Sequence, residues 1–171
     1  MKKYMFLSLL TALVIGFAAC DEDDDKDMTP PVITDRGIVA SPINCQVYHP
    51  GDTIFFRYLF EDNQELGNFN IEVHGNFDHH SHSTEADDHD HDHDGGECED
   101  HDDHDEHDAE EGGEAWIFNQ TYSIPAGLQT YAASESISVP AGVKHGDYHF
   151  MVRLTDSAGW QQLKAVAIRI E

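Results

Sequence analysis

Basic residues are scarce in this chain of 171 residues: nine Lys and Arg stand against 34 Asp and Glu, a formal net charge of −25. So large an acidic excess repels nucleic acid and anionic lipid headgroups, and no basic patch offsets it. Cationic ligands, metal ions among them, are favoured. Catalytic signatures are missing too: there is no HExxH pair, no G-x-S-x-G elbow and no P-loop. Most of the His and carboxylate side chains lie in one segment without a rigid frame, whereas catalysis needs groups held in fixed geometry. No enzymatic activity is expected. After Cys20 no stretch is long and apolar enough to span a membrane, and no helical periodicity appears beyond the first 20 residues.

Those 20 residues read as an export signal. Lys2 and Lys3 precede an apolar run from Met5 to Ala19 that ends in Phe17-Ala18-Ala19-Cys20. Small residues directly before a cysteine resemble the lipobox of bacterial lipoproteins, which implies lipidation at Cys20 and an anchor in the membrane. Loss of Lys2 and Lys3 with the signal would take the mature chain to −27. The acidic run Asp21-Glu22-Asp23-Asp24-Asp25-Lys26-Asp27 resembles the surface-export signal of Bacteroidota lipoproteins. An acidic tether that self-repels and extends would look the same. The expected location is therefore the outer membrane, lipid-anchored and facing the cell surface, with a periplasm-facing orientation as the alternative. The expected organisation is a signal peptide over 1–20, an acidic tether over 21–29 and one domain over 30–171, interrupted by a loop over 78–113.

That loop has the most distinctive composition in the chain. From Asp78 to Glu111 it holds nine of the 13 histidines (His79, His80, His82, His89, His91, His93, His101, His104 and His107) and no Lys, Arg, Pro or aromatic residue. Such a composition cannot bury a core and is expected to stay disordered. Neutral imidazole is the commonest protein ligand for zinc, copper and nickel, and carboxylates add charge and donors. In Asp88-His89-Asp90-His91-Asp92-His93-Asp94 many interchangeable ligand sets are available, which favours binding without making any one site selective. Copper wins on intrinsic affinity unless a fixed cluster imposes geometry. Ligation requires the neutral ring, so affinity should fall as pH drops. Calcium fits the tract only as weak, diffuse binding, because histidine is wasted on a hard cation and no EF-hand glycine is present. A purely solvating spacer would not need nine histidines.

With the loop set aside, about 100 residues remain, an amount that suits one immunoglobulin-like sandwich. Strand signals run over Asp52 to Phe60, Phe69-Ile71-Val73 in alternation with Asn70-Glu72-His74, Trp116 to Ile124, Ser134 to Val139, Tyr148-Phe150-Val152-Leu154, and Leu163 to Ile170. Turn residues fall between them. An opening strand within Pro31 to Ile43 brings the count to about seven. The fold class is all-β, an immunoglobulin-like β-sandwich with a long disordered His/Asp-rich insertion.

Several segments resemble a family of Bacteroidota lipoproteins known as DUF4625: Pro50-Gly51-Asp52-Thr53-Ile54, Ile71-Glu72-Val73-His74-Gly75-Asn76-Phe77-Asp78, and Gly146-Asp147-Tyr148-His149-Phe150 through Thr155-Asp156-Ser157-Ala158-Gly159. The resemblance covers nearly all of the mature chain outside the loop. It implies an immunoglobulin-like fold and an envelope location and brings no established activity.

If the immunoglobulin strand order holds, the strand ending at His74 lies beside the one opening near Tyr148. His74 and His149 then share the face opposite Phe69, Ile71, Val73, Phe150 and Val152. His79, His80 and His82 follow within eight residues of His74, so three or four imidazoles could converge on one tetrahedral zinc. Asp78 or Glu72 could add a carboxylate. The plainer reading makes both strand histidines exposed and without a ligand. Cys45 and Cys98 could pair in an oxidising compartment, or Cys98 could be a thiolate ligand in the tract; the balance tilts to free or metal-linked thiols.

Together these features predict an envelope-anchored lipoprotein that captures, buffers or hands off a divalent transition metal. Zinc comes first, with copper or nickel as substitutes. An outer-membrane transporter is a plausible partner by location. The alternative is a structural or adhesive surface module whose acidic tract is a spacer or pH sensor.

Overall fold

Alternation sets the strands. In Thr53–Glu61, the third strand (β3), Ile54, Phe56, Tyr58 and Phe60 all turn inward and are buried, while Phe55 and Arg57 face solvent. A strand with one apolar face must cover that face with another layer. The computed structural model describes residues 26–77 and 112–171, and among these the regular elements are all strands. The others are β1 (Val32–Thr34), β2 (Gln46–Tyr48), β4 (Leu66–Gly75), β5 (Phe118–Ser123), β6 (Thr130–Ser138), β7 (Gly146–Asp156) and β8 (Gln161–Ile170). One sheet has the order β1-β3-β6 and the other β2-β8-β7-β4-β5.

Two such sheets, with the chain crossing between them several times, make the expected all-β immunoglobulin-like sandwich. The opening stretch differs in detail. It supplies two short strands, because β1 pairs antiparallel with β3 in one sheet while β2 pairs parallel with β8 in the other. The described strands therefore number eight where about seven were expected. Inward side chains from both sheets form one core. Phe56 stacks on Phe69 and Phe150 with ring centroids 5.8 and 5.9 Å away, which joins β3 to β4 and β7.

Tyr148 locks one end of the sandwich. It is fully buried at the start of β7, and its hydroxyl donates to the Lys144 carbonyl at 2.7 Å and accepts from the Trp116 N–H at 3.4 Å. A tyrosine bonding back to the backbone just upstream is the corner found in immunoglobulin folds. Burial pushes its phenol above the ordinary value, opposed in part by the Trp116 N–H. The folded state then holds this proton longer than the unfolded chain. The corner's contribution is complete below the unfolded pKa near 10 and is lost as pH rises through the folded value. Tyr148→Phe should cost about 1–3 kcal/mol at neutral pH by orphaning the two backbone groups. Urea unfolding at pH 7 and at about 10.5 should also show a shallower alkaline loss in the variant. Equal alkaline losses would place the titration in Tyr48 and Tyr122, whose phenols burial also raises.

Candidate metal centre

β4 and β7 run antiparallel with His74 directly opposite His149. Both lie on the face turned away from the core, since Val73 and Phe150 in the alternate positions are buried inside. The two rings sit with centroids 5.5 Å apart and planes at 83°. Imidazoles on one tetrahedral zinc, with Zn–N near 2.0–2.1 Å, would place their centroids about 5 Å apart. The observed spacing is close to that value and also suits an ordinary edge-to-face contact of two rings. Glu72, two residues back on the same face, brings Oε1 to 3.1 Å from His74 Nδ1. A carboxylate beside one ring nitrogen leaves the other to face a metal.

The two histidines differ in environment. His74 keeps 21% of its side chain exposed, whereas His149 is only 2% exposed. The plainer reading, with both strand histidines exposed, therefore fails for His149. Burial continues around it on the outward face at Met151 and at Ala167, its partner on β8. Nearby Asp147 is not available as a ligand, because its carboxylate takes the Arg169 guanidinium at 2.8 and 3.4 Å.

The described residues on either side of the histidine tract pack at this same end of the sandwich. Phe77 packs edge-on against Tyr148 at 5.3 Å, and the Lys144 ammonium lies 4.3 Å from its ring centre. The ring occupies the space a side chain at Gly75 would need: a Cβ there would fall 2.2 Å from Phe77 Cε2. On the return, Glu114 accepts from the Lys144 N–H at 2.9 Å and bridges Val143. Gly113 allows this approach, since a Cβ would sit 2.7 Å from the Lys144 nitrogen. His79, His80, His82, His89, His91, His93, His101, His104 and His107 lie outside the described residues, as do Asp78, Cys98 and the lipidation candidate Cys20.

Cys45 corrects a further expectation. It is disulfide-bonded, so it is neither a free thiol nor a metal ligand. An oxidised sulfur has no thiolate to donate. Cys45 adopts a φ of 60° and donates its N–H to the Ala167 carbonyl at 2.8 Å, one strand over from His149.

The family model for DUF4625, a domain of unknown function, matches residues 18–171. The chain belongs to this family. No curated protein matches it. Within this DUF4625 chain, sequence reading placed His74 beside His149 correctly, because strand alternation and immunoglobulin order were enough. It missed a second cluster, of Asp27, Asp62 and Asp156, at the other end of the sandwich. The local signal was that Asp62 and Asp156 each open a turn; the convergence of the three has no trace in spacing.

Proposed function

We propose that this protein is an envelope-anchored lipoprotein that binds a divalent transition metal, zinc first, for capture, buffering or hand-off. The observation that carries this reading is the His74–His149 pair, spaced close to what a shared ion needs, at the end of the sandwich where the residues flanking the histidine tract pack. The tract, with its acidic charge, raises the local cation concentration and binds loosely at many places. The strand pair and the nearest tract histidines, His79, His80 and His82, then hold one ion in fixed geometry. The two strand histidines supply half of a tetrahedral set, so the remaining ligands come from the tract. Burial of His149 shields such an ion from water and strengthens its electrostatic contacts.

Equilibrium dialysis of the metal-free mature protein against zinc at pH 7.5, followed by metal analysis, tests this. At least one ion should be held tightly above a weaker class, and zinc at 100 times its Kd should stabilise the fold by about 2.7 kcal/mol. Below pH 6 the tight class should be lost as protons compete for the imidazoles. Binding only at millimolar zinc, with no thermal shift, would favour a surface module with an acidic spacer.

A further inference from the structure

At the end of the sandwich away from His74 and His149, three carboxylates meet. Asp27 precedes β1, Asp62 follows β3 and Asp156 closes β7, and one oxygen from each lies within 4.8 Å of the others. Each side chain is oriented by its own turn. Asp27 Oδ1 accepts from the Thr29 N–H at 3.0 Å and the Asn63 amide at 3.3 Å. Asp62 Oδ1 accepts from the Gln64 and Glu65 N–H groups at 2.8 and 2.7 Å. Asp156 Oδ1 accepts from the Trp160 N–H at 2.8 Å. The second oxygen, Oδ2, of all three is buried and has no hydrogen-bond partner. Asp27 and Asp156 are 6% and 4% exposed.

That arrangement is unfavourable by itself. Buried acceptors without donors cost stability, and like charges this close repel. Among the described residues no Lys or Arg pairs with any of the three. A cation placed among the three Oδ2 atoms removes both penalties at once. We propose that Asp27, Asp62 and Asp156 form a calcium site that clamps the N-terminal segment to the sandwich. The donors are all oxygen, which selects a hard cation and disfavours zinc or copper. Calcium–oxygen distances of 2.3–2.6 Å allow donors up to about 5 Å apart around one ion, and backbone carbonyls or water complete an irregular shell readily. Magnesium needs a tighter octahedron, with donors no more than about 4.2 Å apart.

The site lies at a junction. Ser157 donates its N–H to the Glu65 carbonyl at 2.9 Å, joining the β7–β8 and β3–β4 turns, while Asp27 brings in the segment that leads to β1. The Trp160 indole N–H donates to the Asp27 carbonyl at 2.9 Å. An ion here therefore fixes the point where the preceding residues join the domain, and Trp160 reports on it. The site is separate from the imidazole pair, since seven residues of β7 from His149 to Asp156 span about 23 Å.

The test uses the full mature chain, stripped of metal, titrated with Ca²⁺ and in parallel with Tb³⁺, whose luminescence the Trp160 indole would sensitise. Calcium at 100 times its Kd should raise the thermal midpoint by about 10 °C. Asp62→Asn and Asp156→Asn keep the Oδ1 acceptor of each turn but remove one negative donor. Each should fold without calcium at least as stably as the parent and lose the calcium shift, with Tb³⁺ binding weakened at least tenfold. No calcium response in the parent would overturn the proposal. So would a response that persists in both variants, which would place the ion in the acidic tract. An equal shift with Mg²⁺ would overturn the assignment to calcium.

Discussion

Phe56→Ala should cost about 3–5 kcal/mol, because it empties a ring that packs between the two sheets. Phe56 is fully buried on β3 and its ring meets those of Tyr58, Phe60, Phe69 and Phe150 with centroids 5.5 to 6.4 Å apart. Removing it leaves a cavity bounded by four rigid aromatics that cannot collapse inward cheaply. Domains of this kind are stable by only about 5–15 kcal/mol, so the loss is a large share of the total. Phe55, its neighbour in sequence, is 68% exposed on the outside of the same strand, and Phe55→Ala should change stability by no more than about 0.5 kcal/mol. Urea unfolding followed by tryptophan fluorescence checks both. Similar losses at 55 and 56 would mean that the inward and outward faces of β3 are wrongly assigned.

The facing of Phe55 and Phe56 comes from the fold, whereas the existence of their strand was legible in the sequence. Long strands with one buried face carry a period of two, from which β4, β7 and β8 could be read directly, while β3 showed through its β-branched and aromatic content. Strands of three residues have no period to read, which is why the opening stretch gave one expected strand and the fold has β1 and β2 in different sheets. The parallel pairing of β2 with β8 is a long-range choice with no local mark. His149 was placed on the right face, but its burial was not legible, because alternation says which way a side chain points and not what lies over that face. The three aspartates were invisible for a related reason. Asp27, Asp62 and Asp156 are far apart in sequence and meet only because β3 and β7 end at the same edge of the sandwich.

Removing the imidazole pair should have the largest effect on metal binding. With both His74 and His149 changed to alanine, half of a tetrahedral ligand set is gone, and the tight zinc class should weaken by at least 100-fold, about 2.7 kcal/mol. The tract would still bind zinc, since its histidines are untouched, but only through interchangeable, loosely held sets. His149 is buried, so its truncation also carries a folding cost. His74→Gln provides the independent check, because His74 is partly exposed and glutamine keeps its bulk with a far poorer ligand. That single change should weaken the tight class by about 10–100-fold, in the range that ligand-orienting changes already reach, while leaving metal-free stability within about 0.5 kcal/mol. Glu72→Gln, which removes the charge beside the ring and keeps the ligand, should fall between the parent and His74→Gln.

The most direct measurement is a pair of zinc isotherms at pH 7.5, one on the parent and one on the His74→Ala/His149→Ala variant, with His74→Gln alongside to separate ligation from folding. One tight equivalent present in the parent should disappear from the variant while the weaker class keeps its stoichiometry. Isotherms that superimpose, with the same tight affinity and the same number of ions, would contradict it and leave the strand histidines with no part in metal binding.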